Sequence, residues 1–273
     1  MSKSMSSQRD RVEWQLHSWK EIDGLERDES LLIIPTGAIE QHGPHLPVDT
    51  DIFNANAIAL AIAKESHSPR TLVLPPIWWG TSPHHLGFPG TLSLRNETFF
   101  QIIRDVVSSL KPHGFYRFLI INGHGGNAGI ITATVSQLSE DLGISIPAYS
   151  YWQSIRDTLV KVGESPIGGM GHACEMETSL ALHLRPESVD LKALRSDIPD
   201  EKTPWSCIDF RQGGFLGIPL DLKRDSREGV IGDPVPATAA KGKTIFDAAV
   251  EVGSKVVSDL AKLSKAELIT SRY

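Results

Sequence analysis

The stretch FYRFLIINGHGGN, residues 115–127, decides the fold class. Its first eight residues form a near-continuous apolar run, the pattern of a strand buried on both faces rather than one alternating between core and water. Gly123 to Asn127 then supply a tight turn, and residues 128–142 read as a helix. A buried strand that turns directly into a helix is the repeating unit of a parallel sheet with helical crossovers.

The same unit recurs on both sides of this stretch. Upstream, residues 19–28 read as a short amphipathic helical piece and residues 31–35 as a strand. IFNANAIALAIAKE (52–65) follows as a helix that Asp49 or Thr50 can cap. TLVLP (71–75) is a second short strand, and NETFFQIIRDVVSSLK (96–111) is an amphipathic helix that opens on Asn96 and stops before Pro112. Downstream, residues 144–149 give another strand, GGMGHACEMETSLALHL (168–184) a glycine-rich entry into a helix, and residues 237–264 a final long helix. The polar, proline-containing region up to about Asp233 reads as loops and short strands. With no internal repeat or low-complexity linker, residues 1–273 are expected to form a single α/β domain, a mainly parallel sheet flanked by helices. Residues 1–12 are expected to be a flexible tail.

Composition narrows the partners. Hydrophobic content of 40% and charged content of 22% are ordinary for a soluble globular chain. A net charge of −6 without a basic cluster argues against nucleic acid. Cys174 and Cys207 are too few for a disulfide framework, and the N-terminal MSKSMSSQRDRV lacks the apolar core of a secretory signal. No apolar run approaches the ~20 residues that cross a bilayer. A cytoplasmic protein acting on a small molecule, without nucleic-acid or membrane partners, is the expectation.

The chemistry concentrates in IIPTGAIEQHGPHLPVDTD (33–51), which packs Glu40, His42, His45, Asp49 and Asp51 behind a strand. Glu40 and His42 are two apart and leave an extended backbone on the same face. Gly43, Pro44 and Pro47 then turn the chain, which lets Asp49 or Asp51 swing back to the same point. Functional groups of open parallel sheets gather at the carboxyl ends of strands, which brings this cluster towards His124. Glu177 sits near the start of the 168–184 helix. If Glu40, His42, Asp51, His124 and Glu177 converge, they exceed the needs of one tetrahedral ion and suit two ions sharing a carboxylate. Oxygen and imidazole donors accept Zn²⁺ or Mn²⁺ alike. Water between two such cations loses its proton near neutral pH, and hydrolysis of an amide or ester-like bond is the natural outcome. His172, left off the metals, is the candidate proton donor to the leaving nitrogen.

Blander readings stand beside these. Any one polar residue after a strand is ordinarily a solvated loop side chain, and His172 has the alternative of a helix-start histidine bonded to backbone. Cys174 reads better as a small buried thiol than as a nucleophile. GHGGN matches neither phosphate-loop pattern, so its histidine is read as a ligand. The pairs Trp78/Trp79 and His84/His85 suit a substrate pocket, although tryptophan pairs are equally at home in cores.

With these residues laid out, the chain resembles the creatininase family of metal-dependent amidohydrolases. The resemblance rests on PTGAIEQHGPHLPVDTD (35–51), HLGFPGTLSL (85–94), NGHGGN (122–127), GHACEMETS (171–179) and GVIGDP (229–234), in the expected order. It implies a single α/β domain with a binuclear Zn²⁺ or Mn²⁺ site, assembled into homo-oligomers, commonly hexamers. By motif, Glu40, Asp51 and His124 would hold one metal, and His42, Asp51 and a further glutamate the other. Asp49 would cap the following helix, His172 would transfer the proton, and Ser82 would belong to the pocket. Creatininase itself has NGHYEN where this chain has NGHGGN, so the missing carboxylate is expected from Glu177, and creatinine itself becomes a doubtful substrate. Hydrolysis of an amide, cyclic amide or formamide is therefore the leading expectation. A metal-dependent lyase or a C–C or ester hydrolase is its rival among enzymes, and a non-catalytic metal-binding homologue its rival from another class.

Overall fold

A computed structural model describes residues 11–200, 203 and 205–269. Its centre is a sheet of four parallel strands, β1 (Ser30–Thr36), β2 (Arg70–Val73), β3 (Phe118–Asn122) and β4 (Ala148–Ser150), in the order β2-β1-β3-β4. The two central strands, β1 and β3, are buried along their whole length, as expected of strands covered on both faces. Among the described residues, five helices reach ten residues or more: α1 (Thr50–Glu65), α2 (Asn96–Leu110), α3 (Asn127–Leu142), α4 (Glu175–Leu184) and α5 (Ala239–Lys262).

Strand periodicity sorts the core into two layers. Leu31, Ile33, Leu119 and Ile121 face Ile58 and Ile62 of α1, Leu180 of α4, and Ile245 and Val257 of α5. Leu32, Ile34, Phe118 and Ile120 face Phe99, Ile103 and Val107 of α2 and Ile131 and Leu138 of α3. Each such fully buried aliphatic side chain contributes roughly 1.5–3 kcal/mol of transfer free energy, so the three-layer stack follows from burying both faces of one apolar sheet.

Several boundaries differ from the sequence expectation, each for a local reason. The 19–28 piece is a short helix, Trp19–Asp23, opened by a Ser18–Glu21 capping box, then a separate 3-10 turn at Arg27–Glu29. Strand β4 starts only at Ala148 because Pro147 has no N–H to give to a ladder, although its carbonyl accepts from Ile120. Asp49 does occupy the position before α1, but its carboxylate makes no cap bond. It accepts instead from Arg185 Nη1 and Nη2 at 2.9 and 2.5 Å, because a guanidinium fork is a stronger partner than a neutral amide. Arg11 and Val12 are not part of a loose tail: Val12 is buried and its carbonyl accepts from Val73 at the sheet edge. The rest of the proposed tail lies outside the described residues. A small antiparallel pair, β5 (Met170–His172) with β6 (Ile231–Gly232), stands apart from the main sheet. No helix among the described residues is long and apolar enough to cross a membrane.

The strand order locates the ligand crevice. The order in which strands are added reverses between β1 and β3: one connection leaves β1 towards β2, and the next returns past it to β3 and then β4. The crevice beyond the carboxyl ends of those two strands is where open α/β sheets bind ligands.

Candidate metal centre

That crevice is floored by NGHGGN. Asn122, the last residue of β3, accepts from the His124 amide at 3.1 Å and donates to its carbonyl at 2.7 Å, which fixes the turn carrying the imidazole. Asn127, at the start of α3, donates to Gly37 O and accepts from Thr81 N, both at 2.9 Å. It thereby ties the loops after β1 and β2 to the end of β3. His124 Nε2 is engaged from behind by Ser82 Oγ at 3.1 Å and Thr81 O at 3.2 Å, leaving Nδ1 to face inward.

Four further elements converge there. The segment after β1 brings Glu40 and His42, the first turn of α1 brings Asp51, the end of β5 brings His172, and the first turn of α4 brings Glu177. Asp51 lies between two imidazoles, with Oδ1 3.1 Å from His42 Nε2 and Oδ2 2.9 Å from His124 Nδ1. Glu40 Oε1 is 3.3 Å from His124 Nδ1, and Glu177 Oε1 is 3.9 Å from His42 Nε2. Glu40 Oε1 also meets His85 Nε2 at 3.3 Å and His172 Nδ1 at 3.7 Å. His84 stacks on His124, with 5.7 Å between ring centres. All five expected ligands, His172, His84 and His85 are thus brought to one place.

The donor set fits a cation. Among the described residues, every ion pair of Glu40, Asp51 and Glu177 within 4 Å is with an imidazole, and none with lysine or arginine. Glu40 Oε2 and Asp51 Oδ2 are buried without a partner in hydrogen-bond geometry. Candidate ligand atoms of Glu40, His42 and Asp51 lie within 4.8 Å of one another, as do those of Glu40, His84 and His124 and of His42, His172 and Glu177. Three buried carboxylates, two of them with an orphaned oxygen, and no lysine or arginine paired with them leave negative charge that a hard or borderline divalent ion offsets.

Protonation follows the same imbalance. Burial opposes charge on His42, but Asp51, Glu177 and Glu40 outweigh it and push the pKa up to about 10. His124 is raised for the same reason by Glu40 and Asp51. Burial raises Glu40 and pushes Glu177 up to about 7. Burial also works against the Asp51 carboxylate, yet His42 and His124 hold its pKa below the usual range. His172 and His85 are kept well below the usual imidazole range by burial and by neighbouring imidazoles.

A cavity of about 150 Å³ opens onto this cluster, walled in part by His84, Trp152, Phe210, Leu220 and Gly125. Trp78 and Trp79 do not line it; both are 44% exposed on the surface. The aromatic wall comes instead from Trp152, next to the end of β4, which no motif signalled. Gln41, Asn122 and Asn127 were also missed as individual residues, although they lie inside the quoted motifs. Cys174 is buried, its thiol is kept protonated by burial, and it caps α4 by accepting from the Glu177 amide. Glu175 faces away, bonded to Lys241 at 2.6 Å. His45 sits aside, 3.0 Å from Thr178 Oγ1.

The family model for creatinine amidohydrolase matches residues 15–257. The chain belongs to the creatininase family. It is 33% identical to the mycofactocin precursor peptide peptidase of Mycobacterium tuberculosis over 232 residues, which is 81% of each chain. It is 28% identical to the creatinine amidohydrolase of Pseudomonas putida over 250 residues, 86% of this chain and 91% of the relative. A solved creatinine amidohydrolase superposes with a TM-score of 0.80 at 26% identity, covering 93% of this chain and 99% of that one. Solved creatininases include a Zn–Zn form and an Mn form. As a creatininase-family member, the chain is a hydrolase acting on carbon–nitrogen bonds.

Proposed function

We propose that this chain hydrolyses the C–N bond of an amide, cyclic amide or formamide in a small polar substrate, using two divalent cations, Zn²⁺ and/or Mn²⁺. The observation that carries the reading is Asp51 held between His42 and His124, with Glu40 beside the second imidazole and Glu177 beside the first. Glu40, Asp51 and His124 would hold one ion, and His42, Asp51 and Glu177 the other. Two such cations supply, when bound, a nucleophile from water at neutral pH and polarisation of the carbonyl under attack.

The chain's own residues do the rest. His172 directs Nδ1 towards Glu40 while its Nε2 donates to Gln41 O at 2.8 Å, so Nδ1 can take a proton and pass it to the departing nitrogen. The neutral form favoured by burial keeps that nitrogen available at working pH. Ser82 holds the rear of the His124 ring, which fixes the direction of its inward nitrogen. Trp152, Phe210 and Leu220 limit water around the reacting bond, and Gly125 leaves room beside His124. A cavity of about 150 Å³ suits a compact substrate. The protein is further proposed to work as one domain spanning residues 1–273, in the cytoplasm, as a homo-oligomer and by family resemblance a hexamer.

The test is dialysis against a chelator, with turnover of creatinine and of a panel of small formamides and cyclic amides followed by release of amine or formate. Activity should vanish and return with Mn²⁺ or Zn²⁺, and His172→Ala should keep the metals and lose turnover. Undiminished turnover in metal-free protein would refute the reading.

A further inference from the structure

Gln41 stands between the two proposed ligands Glu40 and His42 but points away from them, and every polar atom it has is engaged. Its amide N–H donates to Thr91 Oγ1 at 3.1 Å and its carbonyl accepts from His172 Nε2 at 2.8 Å. Its side-chain Oε1 accepts from Gly43 N at 2.9 Å. Nε2 lies 2.9 Å from both Gly229 O and His85 Nδ1. The side chain is buried, and the room for it is made by Gly229, whose φ is +78°: a Cβ there would stand 1.9 Å from Gln41 Oε1. That gives a reason for the glycine opening GVIGDP, a block the metal chemistry leaves unexplained.

The polarity of this arrangement is fixed by backbone. Gly43 N can only donate and Gly229 O can only accept, so the amide cannot be flipped. One Nε2 proton goes to Gly229 O, and the other goes to His85 Nδ1, which must therefore be unprotonated. His85 then carries its proton on Nε2 and gives it to Glu40 Oε1 at 3.3 Å. The main-chain carbonyl of Gln41 can likewise only accept, which puts a proton of His172 on Nε2, so that in the neutral ring Nδ1 is the bare nitrogen, facing the site. Gln41 Nε2 also comes within 3.0 Å of His172 Nε2, but with both amide protons already donated that approach carries no hydrogen bond.

We infer that Gln41 is a positioning residue that sets the tautomers of two imidazoles at once, His85 through its side chain and His172 through its carbonyl. The first choice supplies a proton that orients Glu40. The second keeps the nitrogen of His172 that faces substrate free to accept one. The link to turnover rests on the proposed roles of Glu40 as a ligand, aimed through His85, and of His172 as proton carrier, but the tautomers are readable without them.

The experiment is nitrogen NMR of metal-loaded protein labelled with ¹⁵N-histidine, with signals assigned through His85→Asn and His172→Asn. In the unmodified protein both rings should show a bare Nδ1 and a protonated Nε2. Finding Nδ1 protonated and Nε2 bare on either ring overturns the inference and needs no variant to fold. In Gln41→Glu the donor to His85 is lost, so its proton should move to Nδ1. In Gln41→Met, which offers no donor and only a weak acceptor, His85 should become a mixture of tautomers, while His172, held by the main chain, keeps its proton on Nε2. Unchanged His85 signals in both variants would overturn the side-chain half. If the tautomers behave as stated, kcat on whichever substrate of the panel is turned over should fall on the order of 10–100-fold, with KM moved less. Correct tautomers together with no amide turnover by the unmodified enzyme would sink the proposed reaction and leave the assignment of Gln41 standing.

Discussion

Replacing Asp209 with asparagine perturbs the piece of structure that holds the cavity wall against the strand carrying His172. Asp209 Oδ2 accepts from Gly168 N at 2.8 Å and Arg211 Nη2 at 2.6 Å, while Oδ1 accepts from Arg211 N and Nε, both at 2.9 Å. Arg211 in turn donates to the carbonyls of Ser165 and Pro166 at 2.8 and 2.7 Å. Asparagine keeps the shape, but an NH₂ group would face two donors in place of Oδ1 or three in place of Oδ2, where Met170 N also donates, and the buried guanidinium loses its counter-charge. Removing one partner of a buried pair costs about 3–5 kcal/mol, or on the order of 6–10 °C in Tm at about 2 °C per kcal/mol for a chain of this size. Urea unfolding followed by fluorescence at fixed protein concentration measures it. The pH dependence supplies a second arm. Burial works against the Asp209 carboxylate, yet Arg211 and the backbone amides pull its pKa below the ordinary value. The stabilisation is therefore complete above pH ~3.9, the unfolded value, and is lost as pH falls through the lower folded one. The gap between variant and parent should close only in that acidic range. A variant within about 1 kcal/mol of the parent at pH 7, against the 3–5 expected, would show that the pair does not carry this loop.

Three substitutions at the centre separate ligand from scaffold. Glu177→Gln leaves His42 and Asp51 without their third partner, so metal analysis after extensive dialysis should fall from two ions per chain towards one; two ions retained would remove Glu177 from the ligand set. The neighbouring glycines of NGHGGN should behave oppositely under alanine substitution. A Cβ at Gly125 meets nothing within 4 Å, so fold and metal content should be unchanged. At Gly126 it would stand 2.4 Å from both His124 Nε2 and Thr81 O, which displaces the imidazole and should weaken metal binding on the order of 10–100-fold. Equal metal affinity in the two variants would contradict that geometry.

The fold was legible because burial on both faces leaves a simple trace. Residues 31–35 and 115–122 carry apolar residues at consecutive positions, which only a doubly covered strand tolerates, and the helices between them fix parallel pairing. Boundaries were less legible where one atom decides them. The missing N–H of Pro147 delays β4, and the capping box at Ser18 starts a helix that Gly24 and a 3-10 turn then interrupt. The Asp49 carboxylate answers to Arg185, 136 positions away, a partner no local pattern announces.

The candidate metal cluster was legible for a different reason. Its donors are chemically unusual neighbours, carboxylate and imidazole two residues apart after a strand, and the sheet rule carries such groups to the same crevice. Its support was not, because scaffold residues are defined by what they touch rather than by their type. Glutamine between two ligands reads as a spacer until Gly43, Gly229 and two imidazoles are found around it. Tryptophans fail in the opposite way: Trp78 and Trp79 advertise a pocket by being paired in a loop, yet the crossover geometry turns them to the surface and brings Trp152 to the cavity. Sequence thus discloses the groups that do chemistry sooner than those that aim them, because reactivity belongs to a residue and aim belongs to its surroundings.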